Sequence, residues 1–354
     1  MIKYIGSKRV LLPAIVAVAR ALPSVQTVLD LFAGTSRVGH ALKGQRHQVI
    51  ANDHTSYAYT LARCYVQADA NAVLPEARRA LKELAYVEPR EGWFTETYCR
   101  RSRYFHPKNG ARIEGMREAI DAWGLEGDLR AVVLTALMEA ADRVDSTVGV
   151  QMAYLKAWAP RAHNDLELRL PEVLPGPGLA TQMEALDAAR EHPADLVYLD
   201  PPYNQHRYLA NYHVWETLVR WDQPEVYGVA CKRIDCKDYH SPFNSKREIH
   251  QALREVVEAA QARYLVVSFS NEGYIARQEM EALLAERGQV RVITRDHDRY
   301  VGARIGIYNP DGEKVGRVSH VRNKEYLYLV GDDDRALAEA AEACAPKAEQ
   351  PALF

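Results

Sequence analysis

Short apolar runs, each closed by polar or turn-forming residues, punctuate the chain at Val28–Phe32, Gln48–Asn52, Asp195–Leu199 and Tyr264–Ser268. They are apolar at successive positions rather than alternating, as in strands buried on both faces of a parallel sheet with helices on either side. A weaker run of the same kind is Leu179–Met183, and the late segments Val290–Ile293 and Glu325–Val330 read as a closing, hairpin-like pair. Strands alternating with helical or loop segments predict a doubly wound α/β sheet.

The spacing between the runs is uneven. Between the second and third runs lies a long interruption, 75–178, with helical patterns of its own such as Leu129–Val144 and a turn-rich end from Pro171 to Gly178. Connections within a strand–helix–strand unit usually take about 2–6 residues, so this stretch predicts an inserted domain. The expected division is a discontinuous catalytic domain, 1–74 with 179–330, an insertion at 75–178, and an acidic, Ala-rich tail at 331–354, read as a loose helix or disorder. A second insertion, Asn204–Lys246, is rich in Tyr, His, Lys and Arg.

Composition narrows the class without naming the function. The 354 residues are 47% hydrophobic and 26% charged, ordinary for a globular protein, with a net charge of −2. That balance opposes an overall electrostatic nucleic-acid binder but leaves room for a local basic face. No apolar run reaches 18 residues and the first residues lack a signal-peptide pattern, so no membrane association and a cytoplasmic location are expected. Cys64, Cys99, Cys231, Cys236 and Cys344 do not follow metal-site spacing; reduced thiols and no metal are expected.

The sharpest chemical signal is Asp200-Pro201-Pro202-Tyr203, directly after an apolar strand. Ligands of open α/β sheets bind beyond the carboxyl ends of strands. The prolines stiffen the backbone and lack donors, leaving carbonyls to accept, and an aromatic beside them can stack on a planar base. The blander reading is a stiff turn with Asp200 as a cap. A second constellation, Asp30-Leu31-Phe32-Ala33-Gly34-Thr35-Ser36, is a strand running into a glycine-containing turn that opens a helix. Ser36 breaks a dinucleotide Gly-x-Gly-x-x-Gly spacing, which makes a nicotinamide dehydrogenase a distant reading. Asp53 closes the second strand about 20 residues on, where a carboxylate can grip ribose hydroxyls or merely cap a helix.

In this order the three elements resemble the DPPY-type, D12 class N6-adenine-specific DNA methyltransferases, over most of residues 1–330. The resemblance implies a mostly parallel, Rossmann-like methyltransferase sheet with an antiparallel closing strand, a largely helical target-recognition insertion, and S-adenosylmethionine as cofactor. By the same resemblance Tyr4 and Lys8, in Tyr4-Ile5-Gly6-Ser7-Lys8, contact the cofactor. So do Asp30, Phe32, Ala33, Gly34, Asp53 and Asp200, with Glu184 or its neighbour Asp187 as a third acid. Tyr203–Tyr208, Asn211–His213, Ser241–Asn244, Ser268–Gly273, Asp142–Val150 and Ala153–Lys156 also look like family sequence.

The implied activity is site-specific transfer of a methyl group to N6 of a flipped adenine in double-stranded DNA. This would be the modification half of a restriction–modification system, with any cognate endonuclease acting separately and a monomer as the expected form. Asp200, Pro201, Pro202 and Tyr203 would be catalytic. Asn204, Arg207 and Tyr208 would face DNA, as would Arg101, Arg103 and Lys108 within the basic, aromatic-interleaved stretch Arg100–Arg112. Lys232, Arg233, Lys237, Lys246 and Arg247 form a looser basic group, and Trp93, Trp123 and Trp158 are expected in the core. Competing readings are methylation of adenine in RNA, of cytosine N4 or of a glutamine side chain, and a non-catalytic DNA-binding regulator on the same scaffold.

Overall fold

The computed structural model describes residues 1–152, 154, 157–298 and 322–344. Seven strands form one sheet in the order β3-β2-β1-β4-β7-β9-β8. Their ranges are β1 Thr27–Asp30, β2 Gln48–Asn52, β3 Leu179–Thr181, β4 Leu196–Leu199, β7 Tyr264–Ser270, β8 Gln289–Asp298 and β9 Arg322–Gly331. A separate two-residue ladder pairs β5, Val226–Tyr227, with β6, Lys232–Arg233. Every pairing in the main sheet is parallel except those of β9 with β7 and with β8. The closing antiparallel strand expected from the sequence is therefore β9.

Side-chain alternation along the strands divides the core. Val28, Val49, Tyr198, Val266, Leu327 and Leu329 face the helices Leu12–Ala21, Arg37–Gly44 and Asp334–Ala343. Leu29, Val197, Leu199, Val267, Tyr326 and Tyr328 face Ala185–Glu191, Ile249–Ala259 and Arg277–Ala285. Because the central strands β1, β4 and β7 are buried on both sides, their sequences read as continuous apolar runs. Strand order reverses between β1 and β4, and a crevice opens outside their carboxyl ends.

The interruption after β2 is largely helical, with Pro107–Ala122 and Gly127–Arg143 as its longest described helices. Ala70–Leu84 runs continuously through residue 75, where the sequence suggested a boundary. Its buried Val73, Ala77, Leu81 and Leu84 share a third core with Phe94, Ile113 and Leu137 of the interruption and with Trp215 and Leu218 of the later insertion. That shared core fastens both insertions to the same side of the crevice.

Two expectations need correcting. The tail is not loose through residue 344: Asp333 caps the helix Asp334–Ala343, and Leu337 and Ala340, spaced for one helical face, are fully buried against the first helix. Residues 345–354 lie outside the described residues. Among the tryptophans, Trp93 packs against the third core and Trp158 is half-buried beside His106, but Trp123 is 39% exposed at the end of its helix.

Candidate functional site

The crevice is a cleft of about 650 Å³ at the carboxyl ends of β1, β2 and β4. Tyr4, Lys8, Asp30, Phe32, Ala33, Gly34, Asp53, Asp200, Pro202 and Tyr208 all line it, bringing together segments far apart in the chain.

The turn after β1 forms its first wall. Gly34 has φ +51°, and a Cβ there would come within 3.2 Å of the Tyr4 ring, so only glycine lets that ring lie so close. Ser36 also adopts a left-handed conformation, φ +57°, and its N–H donates to the Ala33 carbonyl at 2.6 Å. The turn is thus as tight as a glycine would make it, with backbone strain at a fully buried serine. Asp30 is 1% exposed, and one of its carboxylate oxygens accepts the Gly39 N–H at 3.0 Å. Burial pushes its pKa up to about 7, the Gly39 hydrogen bond only partly opposing this. Asp53 ties the two turns together, accepting the Gly34 N–H at 3.0 Å on one oxygen and the Thr55 N–H and hydroxyl on the other.

Opposite lies Asp200. Its Oδ1 is 3.0 Å from Lys8 Nζ, and neither its Oδ2 nor the Pro201 carbonyl accepts a hydrogen bond from any described residue. Burial raises the Asp200 pKa to about 6 in spite of Lys8. Burial also works against the Lys8 charge, but Asp200, Tyr203 and Glu325 outweigh it and hold the ammonium well above its ordinary range. Tyr203 packs against Phe269, ring centres 5.2 Å apart, and the Tyr274 N–H donates to its carbonyl at 2.9 Å. Tyr4 packs against Tyr208 and Tyr212, with centroids at 5.2 and 4.4 Å and those two rings 6.4 Å from each other, and its hydroxyl meets that of Tyr57 at 3.0 Å.

Two smaller hollows adjoin the cleft. One of about 320 Å³ is lined by Phe32, Asp53, Met183, Glu184 and Phe243, while Asp187 points outward, 62% exposed and 3.8 Å from Arg190. Of the two acids left open by the sequence, Glu184 is the one at a concave surface. The other hollow, about 340 Å³, is lined by Pro202, Arg207, Tyr208 and Asn244. His54, stacked on Tyr239 at 4.6 Å, borders both.

The basic stretch is not uniformly available. Arg100 pairs with Glu91 and Glu96, Lys108 donates to the His163 carbonyl and to Asp165 at 2.9 Å, and Arg112 donates to the Val87 and Ala85 carbonyls. Lys108 is therefore held by internal acceptors. Arg101 is exposed without a partner among the described residues, and Arg103 lies over the Tyr154 ring at 5.4 Å. In the looser group Arg233 is buried between Asp222 and Asp235, an internal ion pair rather than an outward charge.

The family-like stretch Asp142–Val150 fastens the insertion to the N-terminal segment. Lys3 donates to the Asp142 carbonyl and to Asp145, each at 2.7 Å, and Ile5 N–H donates to the Tyr212 hydroxyl at 2.6 Å. Tyr154 bridges to Thr147, while Ala153, Leu155 and Lys156 of the companion stretch lie outside the described residues.

Sequence reasoning missed two polar side chains. Asn244 donates both its amide hydrogens to the loop after Tyr203, at 2.6 Å to the Asn204 carbonyl and 3.1 Å to that of His206. Its place in the quoted stretch Ser241–Asn244 was a usable signal. Glu325 reaches to 3.9 Å from Lys8 Nζ. It stood inside a run read only as a strand, and nothing in its neighbours marked it.

Comparison with known proteins gives the family. Residues 4–283 match the family model described as D12 class N6 adenine-specific DNA methyltransferase. The chain is 29% identical to the type II methyltransferase M.NlaIII of Neisseria lactamica, covering 92% of this chain and 97% of that one. It is 28% identical to M.CviAII of Paramecium bursaria Chlorella virus 1, covering 85% and 89%. With M.FokI of Planomicrobium okeanokoites it shares 30% identity over 81% of its own length, but it spans only about half of that protein, 47%.

Proposed function

Since the chain belongs to the D12 class N6 adenine-specific DNA methyltransferases, we propose that the cleft binds S-adenosylmethionine and methylates N6 of an adenine flipped out of double-stranded DNA. The observation that carries this reading is the pair of unengaged acceptors at the end of β4. Asp200 Oδ2 and the Pro201 carbonyl match in number the two hydrogens of an exocyclic amine. Accepting both would draw N6 toward tetrahedral geometry and turn its otherwise delocalised lone pair outward. Tyr203, held by Phe269 and by Tyr274 N–H, would stack on the base, and rigid positioning of this kind is the main source of acceleration available to such a site.

The residues present fit the cofactor. Asp30 is a buried carboxylate with one hydrogen bond and no cation, suited to an amino-acid ammonium. The close approach at Gly34 leaves a cradle that a Cβ would fill. Asp53 would take ribose hydroxyls, and the hollow of Phe32, Met183 and Glu184 an adenine. When bound, S-adenosylmethionine supplies an electrophilic methyl group on a sulfonium.

The helical interruption, 75–178, would read the target, with Arg101 and Arg103 on the phosphates and Arg207 and Tyr208 near the extruded nucleotide. Lys108 is withdrawn from that role because its charge is satisfied within the chain. Action as a monomer is part of the same proposal. The relatives' names, type II methyltransferases and modification methylases, support the modification half of a restriction–modification system with any endonuclease separate. No described helix is long and apolar enough to cross a membrane.

The test is incubation of the protein with methyl-labelled S-adenosylmethionine and unmethylated DNA, followed by digestion to nucleosides. Label is expected in N6-methyldeoxyadenosine and lost in Asp200→Ala without loss of the folded state. Label confined to RNA or to N4-methyldeoxycytidine, or transfer retained by the variant, would refute the reading.

A further inference from the structure

Strand β9 runs against its neighbours, so its first residues, not its last, arrive at the catalytic edge of the sheet. Glu325 is paired there with Ser270 at the end of β7. It lies beyond residues 4–283, the span shared with the family model. The side chain is buried, the residue 8% exposed, and its Oε2 accepts no hydrogen bond among the described residues, though it stands 3.9 Å from Lys8 Nζ. A buried carboxylate oxygen so placed carries a real cost in desolvation and is retained only for a reason. Arg295, its cross-strand neighbour on β8, is engaged by the Cys344 carbonyl instead.

Lys8 therefore stands between two acids, Asp200 at 3.0 Å and Glu325 at 3.9 Å. We propose that Glu325 is a positioning residue that shares the Lys8 ammonium with Asp200 and takes it over when Asp200 accepts the proton released from N6. The inference rests on the methyl-transfer reading of the site. In the step, the N6 lone pair forms the bond to carbon while the carbon–sulfur pair stays on sulfur. The cationic N6 then gives one hydrogen, as a proton, to Asp200 Oδ2, leaving a neutral methylated amine. A protonated Asp200 no longer balances Lys8, and without a second anion a buried ammonium would be stranded, which would resist the proton transfer. With Glu325 present the ammonium keeps a counter-ion throughout, and only the sharing changes.

Electrostatics at Asp200 agree. Burial raises its pKa most, Lys8 lowers it and Glu325 raises it again, to about 6 in all. The other titratable groups facing this cluster are Tyr203, within reach of the charges of Lys8, Asp200, Glu325 and Glu272, Tyr198 and Tyr208, which face both Asp200 and Lys8, and Asp30, which faces Asp200.

The experiment titrates Asp200 in the cofactor-free protein by carboxyl NMR or infrared difference spectroscopy, with Asp200→Asn assigning the signal, in wild type, Glu325→Gln and Glu325→Asp. Removing the second negative charge should move the Asp200 titration down by on the order of one pH unit. The acid limb of the kcat profile should move the same way, kcat near neutrality should fall about tenfold, and KM for DNA should stay. Glu325→Asp keeps the charge and should restore most of both, which loss of packing would not. An Asp200 titration that does not move in Glu325→Gln, in a wild type that transfers methyl groups, overturns the assignment of Glu325 alone. A wild type that transfers no methyl group to DNA overturns the reading of the site and the proton role with it.

Discussion

Asp30→Asn changes one atom in the wall of the cleft and should make the protein more stable while making it useless. The carboxylate is 1% exposed, accepts only the Gly39 N–H, and has Asp53 and Asp200 as like-charged neighbours. Its pKa stands at about 7 against an ordinary value of 3.8. At roughly 1.4 kcal/mol per pH unit, holding the charge in the folded state at pH 8 costs about 4 kcal/mol. Asparagine keeps an oxygen for Gly39 and carries no charge. After allowance for relaxation and water entry we expect a gain of about 1–3 kcal/mol at pH 8.

The sign with pH discriminates this from a packing effect. A carboxyl whose folded pKa is raised binds its proton more readily when folded, so wild-type stability rises as pH falls through about 7 toward 4. Other groups act in the same window: Asp142 and Asp200 are raised to about 6 and push the same way, whereas buried His213, lowered to about 3, pushes the opposite way. The difference between variant and wild type in urea unfolding isolates Asp30: large at pH 8, less than half of that at pH 5, and nearly gone only near pH 4. Calorimetry supplies the second arm. Binding of S-adenosylmethionine near pH 6.5 should release protons in wild type, because an ammonium beside Asp30 favours the charged form, and the variant should bind at least about tenfold more weakly without that release. Equal stability gains at both pH values, or unchanged proton release, would refute the account of Asp30 as a charge held ready for a cation.

Three further outcomes follow from the geometry. Lys8→Met removes the cation 3.0 Å from Asp200, so the Asp200 pKa should climb above its present value of about 6. Transfer at pH 7 should drop about a hundredfold or more and recover in part at pH 9, as a pH–rate profile would read. Asn244→Ala frees the Asn204 and His206 carbonyls; kcat should fall about tenfold with the melting temperature lowered by only a few degrees, and Asn244→Asp should be worse, since it sets a carboxylate against both carbonyls. Arg101→Ala should weaken DNA binding and reduce the slope of log affinity against log salt by about 1, measured by fluorescence anisotropy, while Lys108→Ala should leave the slope almost unchanged.

Residue type and order carried the reading of the sheet and of the cleft, because both depend on local patterns. A strand buried on two faces needs an unbroken apolar run, and the groups at its carboxyl end must follow it in sequence, so Asp30, Asp53 and Asp200 could each be placed from their own neighbours. Ser36 showed where a pattern is too strict: the left-handed turn is made without the expected glycine, the cost being borne by a fully buried side chain. The boundary at residue 75 was suggested by where the strand pattern stopped. A helix that packs on both insertions can continue through such a point, since what it needs is an apolar face and not a particular neighbour in sequence.

What could not be read was which charges are already spent. Lys108 and Arg101 look alike in the sequence, seven positions apart in one basic stretch. Yet Lys108 is paired with Asp165, an acid 57 residues away, and Arg101 with none among the described residues. Asp145 gathers Lys3, 142 positions away, and Arg161, 16 away, in the same fashion, and the first of these pairs anchors the N-terminal segment ending in Lys8 to the insertion. Long-range pairing of this kind depends on the topology and leaves no periodic trace. It also joins the two halves of the proposed function: the segment that carries Tyr4 and Lys8 into the cleft is held by Asp142 and Asp145 of the part proposed to read DNA.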